Sequence, residues 1–161
     1  MSRLEEVKKM TDLVQIIQTS IERFNFYRKN NPMEVINLQE ANFWRANLQG
    51  ADFHGANLQK AEFCEANLRG ATFKGANLQE EGFCLANLQG ADFHGANLQG
   101  VDFQRANFQG ATFKGANLQG VDFTLATVWR ANFRDTDLRK TRGLSLFIRL
   151  LVSLENSIKV D

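Results

Sequence analysis

The sequence predicts an all-β solenoid that coils through four sides of five residues each. Every fifth residue from Leu38 to Leu138 is apolar, being Leu or Phe in all cases but one, which is Val. The position two residues before each of these centres is almost always Ala. Residues 51–79 and 91–119 are identical at 22 of 29 positions, forty residues apart. Such self-similarity is typical of a protein that adds identical layers.

A period of five matches neither the 3.6 residues of a helix turn nor the two-residue alternation of a strand. It favours short extended segments separated by turns, with one small and one large residue of each unit pointing inward. Leu and Phe alternate at the centres. Only a coil with an even number of sides therefore places Leu above Leu and Phe above Phe in consecutive coils. Gly ends the unit at 55, 75, 95 and 115 but not in the series ten residues away. The repeat is therefore twenty residues, and residues 36–140 make about five coils.

The residues before the coils, 1–35, predict an N-terminal helical cap. Leu4, Val7, Met10 and Val14 recur three or four residues apart, as in one amphipathic helix or two short ones. The helix is expected to end near the "KNNP" stretch, because Asn and Pro stop helices. Coils bury their apolar faces only against their neighbours, so the ends of the body need such caps.

The residues after the coils, 141–161, predict a C-terminal helical cap. The segment "GLSLFIRLLVSLENSIKV" is apolar enough for a helix from about Ser145. Its excess of apolar residues also suggests a homodimer contact through this helix.

The run "ANLQGADFHGANLQKAEFCEANLRGATFKGANLQ" resembles the pentapeptide-repeat family, in the style of its cyanobacterial members. The resemblance implies a right-handed, quadrilateral parallel β-helix. Some members are linked to control of cell differentiation. Others protect DNA gyrase from quinolones or inhibit it, as paired rods with a long acidic surface that imitates B-form DNA.

Composition and charge narrow the function classes. The formal net charge is +1, and acidic and basic residues are evenly spread along the chain. This balance argues against a nucleic-acid partner. No apolar stretch is long enough to span a bilayer, and the charged start "MSRLEEVKKM" is unlike a signal peptide. We therefore expect a protein of the cytoplasm without a membrane partner. The resemblance to cyanobacterial members implies a bacterial source.

Catalytic and metal-binding groups are not predicted. His54 and His94 should lie two layers apart, about 10 Å, which is too far to share one metal ion. No compact cluster of nucleophile, base or acid accompanies them. The sequence thus predicts neither an enzyme nor a cofactor.

The residues that follow the centres point outward and form columns along the rod. One column is a basic stripe, which is either a solvated face or a patch for an acidic partner: His54, Lys74, His94, Lys114 and Arg134. Another column carries five Gln residues, from Gln39 to Gln119, whose amides are expected to stack and stiffen the rod.

A third outward column holds Trp44, Cys64 and Cys84. The two cysteines should lie one layer apart, where a disulfide is conceivable, but in-register side chains point the same way and the cytosol is reducing. Free thiols are the expectation. Trp44 and Trp129, near opposite ends of the rod, contact either a cap or a partner, and coverage by a cap is favoured.

One unit departs from the pattern. Glu81 occupies the small inward slot, and Gly82 replaces the usual Asn or Asp. Burial of an unpaired carboxylate is costly, so a backbone bulge permitted by Gly82 is expected. The functional alternative is a partner contact beside Cys84 and Leu85.

These observations favour a protein-interaction scaffold or regulator that presents flat solenoid faces to another protein. The candidate contact residues are Trp44, Glu81, Leu85 and Trp129. The alternative is a DNA mimic that inhibits or protects a type II topoisomerase, which the near-neutral charge disfavours.

Overall fold

The chain forms a two-helix cap followed by a regular coil. The structure is a computed structural model that describes residues 3–145. Helix α1 spans Arg3–Thr19 and helix α2 spans Ile21–Asn30. Ser20 separates them, because its hydroxyl accepts a hydrogen bond from the backbone N–H three residues later and so caps α2. The predicted C-terminal helix lies outside the described residues.

Parallel bridges between residues twenty positions apart build the body. They run from Asn37, which pairs with Asn57, to Asp122, which pairs with Arg142. Bridged residues recur every five positions along the chain, so each coil has four sides. Each side contributes one bridged residue instead of a longer strand, because a turn follows at once. The predicted twenty-residue repeat is confirmed. We name the four sides after their first core residues: the Leu38, Phe43, Leu48 and Phe53 faces.

The turns at the corners all have the same conformation. Every fifth residue from Glu40 to Asp135 has a positive φ, between 57° and 76°. The next N–H usually donates to the carbonyl three residues earlier, as Ala41 does to Leu38 at 3.1 Å. Such a hydrogen bond with a positive φ at the third residue is the pattern of a type II turn.

Stacked side chains fill the interior. Each predicted centre from Leu38 to Leu138 is at most 1% exposed, except Val128, which is only partly buried. On the Phe53 face, the ring of Phe93 stacks on Phe73 at 4.9 Å and on Phe113 at 5.1 Å, with interplanar angles of 3° and 4°. The stacking repeats from coil to coil because equivalent positions lie directly above one another.

Amide side chains reinforce the coils from outside. Asn67 donates to Asn47 at 2.9 Å, one coil away. Gln79 accepts from Gln59 at 3.3 Å and donates to Gln99 at 3.4 Å. The predicted stacking of Gln amides is therefore confirmed for Gln59, Gln79 and Gln99, and Asn side chains form similar links.

Helix α2 closes the first coil. The ring of Phe24 is fully buried and lies 5.6 Å from that of Phe53. The side chain of Asn25 donates to the carbonyl of Gly50 and accepts from the N–H of Asp52, both at 2.9 Å. By accepting from the Asp52 N–H, its amide replaces a hydrogen bond that a further coil would otherwise make.

Candidate interaction face

The Phe43 face differs from the other three at its corner. Its corner residues are all non-glycine, yet each has a φ between 57° and 60°: Arg45, Glu65, Leu85, Arg105 and Leu125. Four of the five corners that follow the Phe53 face are glycine. Left-handed backbone costs a non-glycine residue about 1 kcal/mol or more. We call the five strained residues the corner column.

Sequence reasoning picked out only Leu85 from this column. The other four could have been found from the absence of glycine at every fourth corner. In the sequence analysis that absence was used only to establish the twenty-residue repeat.

The corner column and its neighbours expose large side chains. Leu85 is 52% exposed and Leu125 is 70% exposed. Trp44 is 51% exposed, with the guanidinium of Arg45 4.2 Å from the centre of its ring. The same guanidinium lies 2.6 Å from the Glu65 carboxylate, and this hydrogen bond lowers the pKa of Glu65. Apolar, aromatic and paired ionic groups thus alternate along one edge of the rod.

The expectation that the N-terminal cap covers Trp44 is wrong, whereas the C-terminal cap expected over Trp129 lies outside the described residues. Trp129, on the Leu48 face, is 64% exposed, and Trp44 is half exposed. Helix α2 lies over the end of the first coil, where it contacts Phe53 and Gly50, and leaves Trp44 open to solvent.

The expectation of free thiols is also wrong, because Cys64 and Cys84 form a disulfide between consecutive coils. Their Cα atoms are 4.7 Å apart, the distance between neighbouring strands and within the range that a disulfide requires. Side chains that leave the backbone in the same direction can still rotate their sulfurs towards each other. Both residues remain partly exposed on the Phe43 face.

Glu81 is a buried residue and not a surface contact, which corrects its assignment as a candidate partner contact. Its side chain lies inside the coil with only 2% exposure. Its pKa is raised to about 9, mainly by desolvation and to a smaller extent by the charge of Glu62, while hydrogen bonds from the backbone amides of Ala61 and Lys60 oppose the shift. One carboxyl oxygen accepts from the Ala61 N–H at 2.9 Å, and the other has no partner among the described residues. Glu81 is therefore uncharged at neutral pH.

The predicted bulge at Gly82 is wrong, since no residue is inserted. Gly82 keeps the twenty-residue register with Glu62 and Asp102. The departure is a local loss of backbone hydrogen bonds. Three bonds that the repeat would supply are missing from the described residues: Lys60 N–H to Gln79 O, Glu81 N–H to Leu78 O, and Gly82 N–H to Ala61 O. The carboxyl of Glu81 instead accepts hydrogen bonds from the backbone of the coil below, at Ala61 and Lys60.

The predicted basic stripe lies along the Phe53 face. Lys74 is paired with Asp92 at 3.1 Å, and Asp92 also accepts from the N–H of His94 at 3.0 Å. His54 has the same backbone contact with Asp52. Acidic residues thus alternate with the stripe, and the choice between a solvated face and an acidic-partner patch stays a prediction.

Within residues 3–145, no group of three or more His, Cys, Asp or Glu side chains is placed to hold a metal ion. In the same part of the chain, no helix has the length and apolar character needed to cross a membrane.

Comparison with known proteins places these features in context. The family model for pentapeptide repeats matches eight copies, at residues 46–80 and 86–124. A comparison with curated proteins finds no match. A pentapeptide repeat protein from the thylakoid lumen of Arabidopsis thaliana is 37% identical, over 58% of this chain and 69% of that one, with a TM-score of 0.49.

Two cyanobacterial structures are also similar. Rfr23 from Cyanothece 51142, a pentapeptide repeat protein, is 27% identical over 74% of this chain and 97% of its own, with a TM-score of 0.56. HetL from Nostoc sp. Strain PCC 7120 is a pentapeptide repeat protein involved in heterocyst differentiation regulation. It is 31% identical over 68% of this chain and 62% of its own, with a TM-score of 0.40.

Four-sided coils with a closed, ring-filled interior define a β-solenoid repeat protein. Together with the repeat match and the identity to the Arabidopsis protein, they show that this chain belongs to the pentapeptide repeat family. The match indicates a structural or interaction protein and points to no catalytic family.

Proposed function

We propose that this protein is a non-enzymatic interaction scaffold or regulator that docks another protein on the Phe43 face. The observation that supports this is the corner column, where five non-glycine residues hold a left-handed conformation. Glycine would relieve each of them, as it does at Gly55, Gly75 and Gly95. Strained residues retained in a column are best explained by what their side chains contact.

The chemistry of the column suits a protein partner. Exposed Trp and Arg are the residue types that contribute most to protein–protein binding, and Leu85 and Leu125 add apolar contact area. The Arg45–Glu65 ion pair can fix the orientation of a bound partner without adding a large net charge to the face. We infer a partner surface that combines apolar pockets with a few polar groups.

A pair of double variants tests this assignment. Leu85→Gly with Leu125→Gly removes both exposed side chains and relieves two strained turns. The fold should be retained or slightly stabilised, while recovery of the partner from an extract of the source organism should fall by about tenfold or more, as expected when two interface anchors are lost.

The matched control is Glu40→Gly with Asp135→Gly. These residues have φ values of 62° and 58° at corners of the Leu38 and Phe53 faces, so the same strain is relieved elsewhere. The control should retain the partner. Equal recovery by wild type and both variants would contradict docking on the Phe43 face.

The alternative, a DNA mimic that acts on a type II topoisomerase, makes a different prediction. A mimic should inhibit supercoiling by gyrase or protect gyrase from a quinolone, whereas a scaffold should do neither. The mixed charges along the rod, such as Lys74 beside Asp92, support the scaffold over the mimic.

Several finer features remain part of the proposal. We expect right-handed winding, because crossovers between parallel strands are almost always right-handed. We also propose that the chain forms a homodimer through the segment from about Ser145, which light scattering of the full chain would test. We also propose a cytoplasmic location, while the Arabidopsis relative comes from the thylakoid lumen.

A further inference from the structure

The disulfide lies at the one interruption of the hydrogen-bond ladder within the first four coils. It joins the coils that contain Cys64 and Cys84, and these are the coils between which Glu81 removes backbone hydrogen bonds. Neighbouring layers of a solenoid are held mainly by such bonds and by ring stacking. A covalent link here therefore compensates for a weakened non-covalent connection between two coils.

Gly82 leaves the Cys64 sulfur without a side chain beside it from the next coil. A Cβ atom built on Gly82 would meet the Cys64 Sγ at 3.4 Å. In the other coils the equivalent position carries a polar side chain: Asn42, Glu62, Asp102 or Asp122. Such a side chain at residue 82 would extend over the sulfur and hinder its approach. The φ of Gly82 is not positive, so the backbone does not require glycine here. What glycine provides at this position is the absence of a side chain next to the Cys64 sulfur.

We propose that Cys64 and Cys84 form a reversible thiol–disulfide site. A dithiol reductant reduces this site, and its redox state controls the cohesion of the two coils that the cysteines join. The site goes beyond the proposed docking function and does not depend on the identity of a partner.

The reaction is a two-electron exchange. A thiolate of the reductant attacks one sulfur, which breaks the bond between the cysteines and forms a mixed disulfide. The second thiol of the reductant then closes its own disulfide and releases the remaining cysteine. In total, two electrons and two protons pass from the dithiol to Cys64 and Cys84.

Reduction should loosen the contact between these coils and leave others intact. On the Phe43 face the Phe63 N–H donates to Gly82 O and the Glu65 N–H donates to Cys84 O, both at 2.9 Å. Without the disulfide, these bonds border an interrupted ladder and should open more often. Two coils further on, Phe103 and Arg105 make the equivalent bonds to a regular ladder.

Amide hydrogen exchange on the full chain, before and after treatment with dithiothreitol under native conditions, tests the proposal. We expect two free thiols to appear, and exchange at Phe63 and Glu65 to accelerate by about tenfold or more. Exchange at Phe103 and Arg105 should be unchanged. A disulfide that resists dithiothreitol until the protein unfolds, or exchange that does not differ between the two forms, would overturn the proposal.

Two variants test separately the access of a reductant to the Cys64 sulfur and the cohesion of the two coils. Gly82→Asn should slow reduction by about tenfold, because it covers the Cys64 sulfur without changing the ladder. A double variant, Cys64→Ser with Cys84→Ser, should show the fast exchange of the reduced protein and no response to dithiothreitol. An unchanged reduction rate in Gly82→Asn would contradict the role of Gly82. The wild-type comparison alone decides the proposal if the double variant does not fold.

Discussion

The Phe53 and Phe43 faces have the same interior and different exteriors. Inside, Phe73 and Phe93 stack at 4.9 Å on one face, and Phe63 and Phe83 stack at 4.8 Å on the other, with nearly parallel rings in both. Outside, the first face turns its corners mostly with glycine. The second turns them with the charged and apolar residues of the corner column and carries the disulfide.

The comparison shows that the inward-facing residues determine the coil. Stacked rings and backbone bonds tolerate strained corners, a buried carboxylic acid and a covalent link, provided that the centres remain apolar. A rod of this kind can therefore alter one face while its neighbours keep their repeat. The three predictions below test this separation.

The largest effect is expected in the shared interior. Phe93→Ala and Phe83→Ala should each lower the free energy of unfolding by about 3–5 kcal/mol, since each removes a fully buried ring. Chemical denaturation measures both. Val128→Ala is the control and should cost about 1 kcal/mol, because Val128 is only partly buried. Losses below about 1 kcal/mol for either Phe would show that the rings do not hold the coils together.

The second effect concerns pH and the interruption at Glu81. The folded protein holds the Glu81 proton up to about pH 9, whereas the unfolded chain releases it near its ordinary pKa of 4.5. Between these values the folded state binds more protons, so the free energy of unfolding should fall as pH rises, by at most about 1.4 kcal/mol per pH unit.

Glu81→Gln removes this titration and should flatten the dependence of the free energy of unfolding on pH in that window. Glu81→Ala should also let the backbone bonds re-form and stabilise the protein at pH 7 by about 1 kcal/mol or more. Thermal melting across pH measures both. A Glu81→Ala variant that melts well below wild type would show that the acid stabilises the coil.

The smallest effect compares the corners directly. Gly95→Leu places a side chain in open space at a φ of 66°, so its cost should be backbone strain alone, about 1–2 kcal/mol. The reverse change on the other face, Leu85→Gly, should be neutral or mildly stabilising. Equal destabilisation by both variants, measured by denaturant titration, would mean that the corner column is not strained.

Much of the architecture could be predicted from spacing alone. The five-residue period, the alternation of Leu and Phe, and the glycines at 55, 75, 95 and 115 were sufficient for four sides and twenty-residue coils. These features are predictable because every coil places the same residue types in the same surroundings. The separation of α1 from α2 at Ser20 was left open, since one helix and two give the same apolar spacing.

The departures from the repeat were harder to predict. A sequence locates Cys64 and Cys84 one layer apart but does not determine the side-chain rotation that brings the sulfurs together. It marks Glu81 as inward but gives no indication of whether the backbone shifts or the carboxyl takes up a proton. The exposure of Trp44 depended on where α2 lies, and that position follows from contacts made by Phe24 and Asn25 across the fold.

The side chain of Asn25 has a further consequence, for self-association. An uncovered first coil would present unpaired amide and carbonyl groups to any extended chain, and fibres grow by such edge-to-edge addition. Asn25 engages the carbonyl of Gly50 and the amide of Asp52, and Arg28 donates to the carbonyl of His54. At this end the molecule closes a template that its own repeats would otherwise extend without limit, so the same twenty-residue geometry yields a particle of finite length instead of a filament.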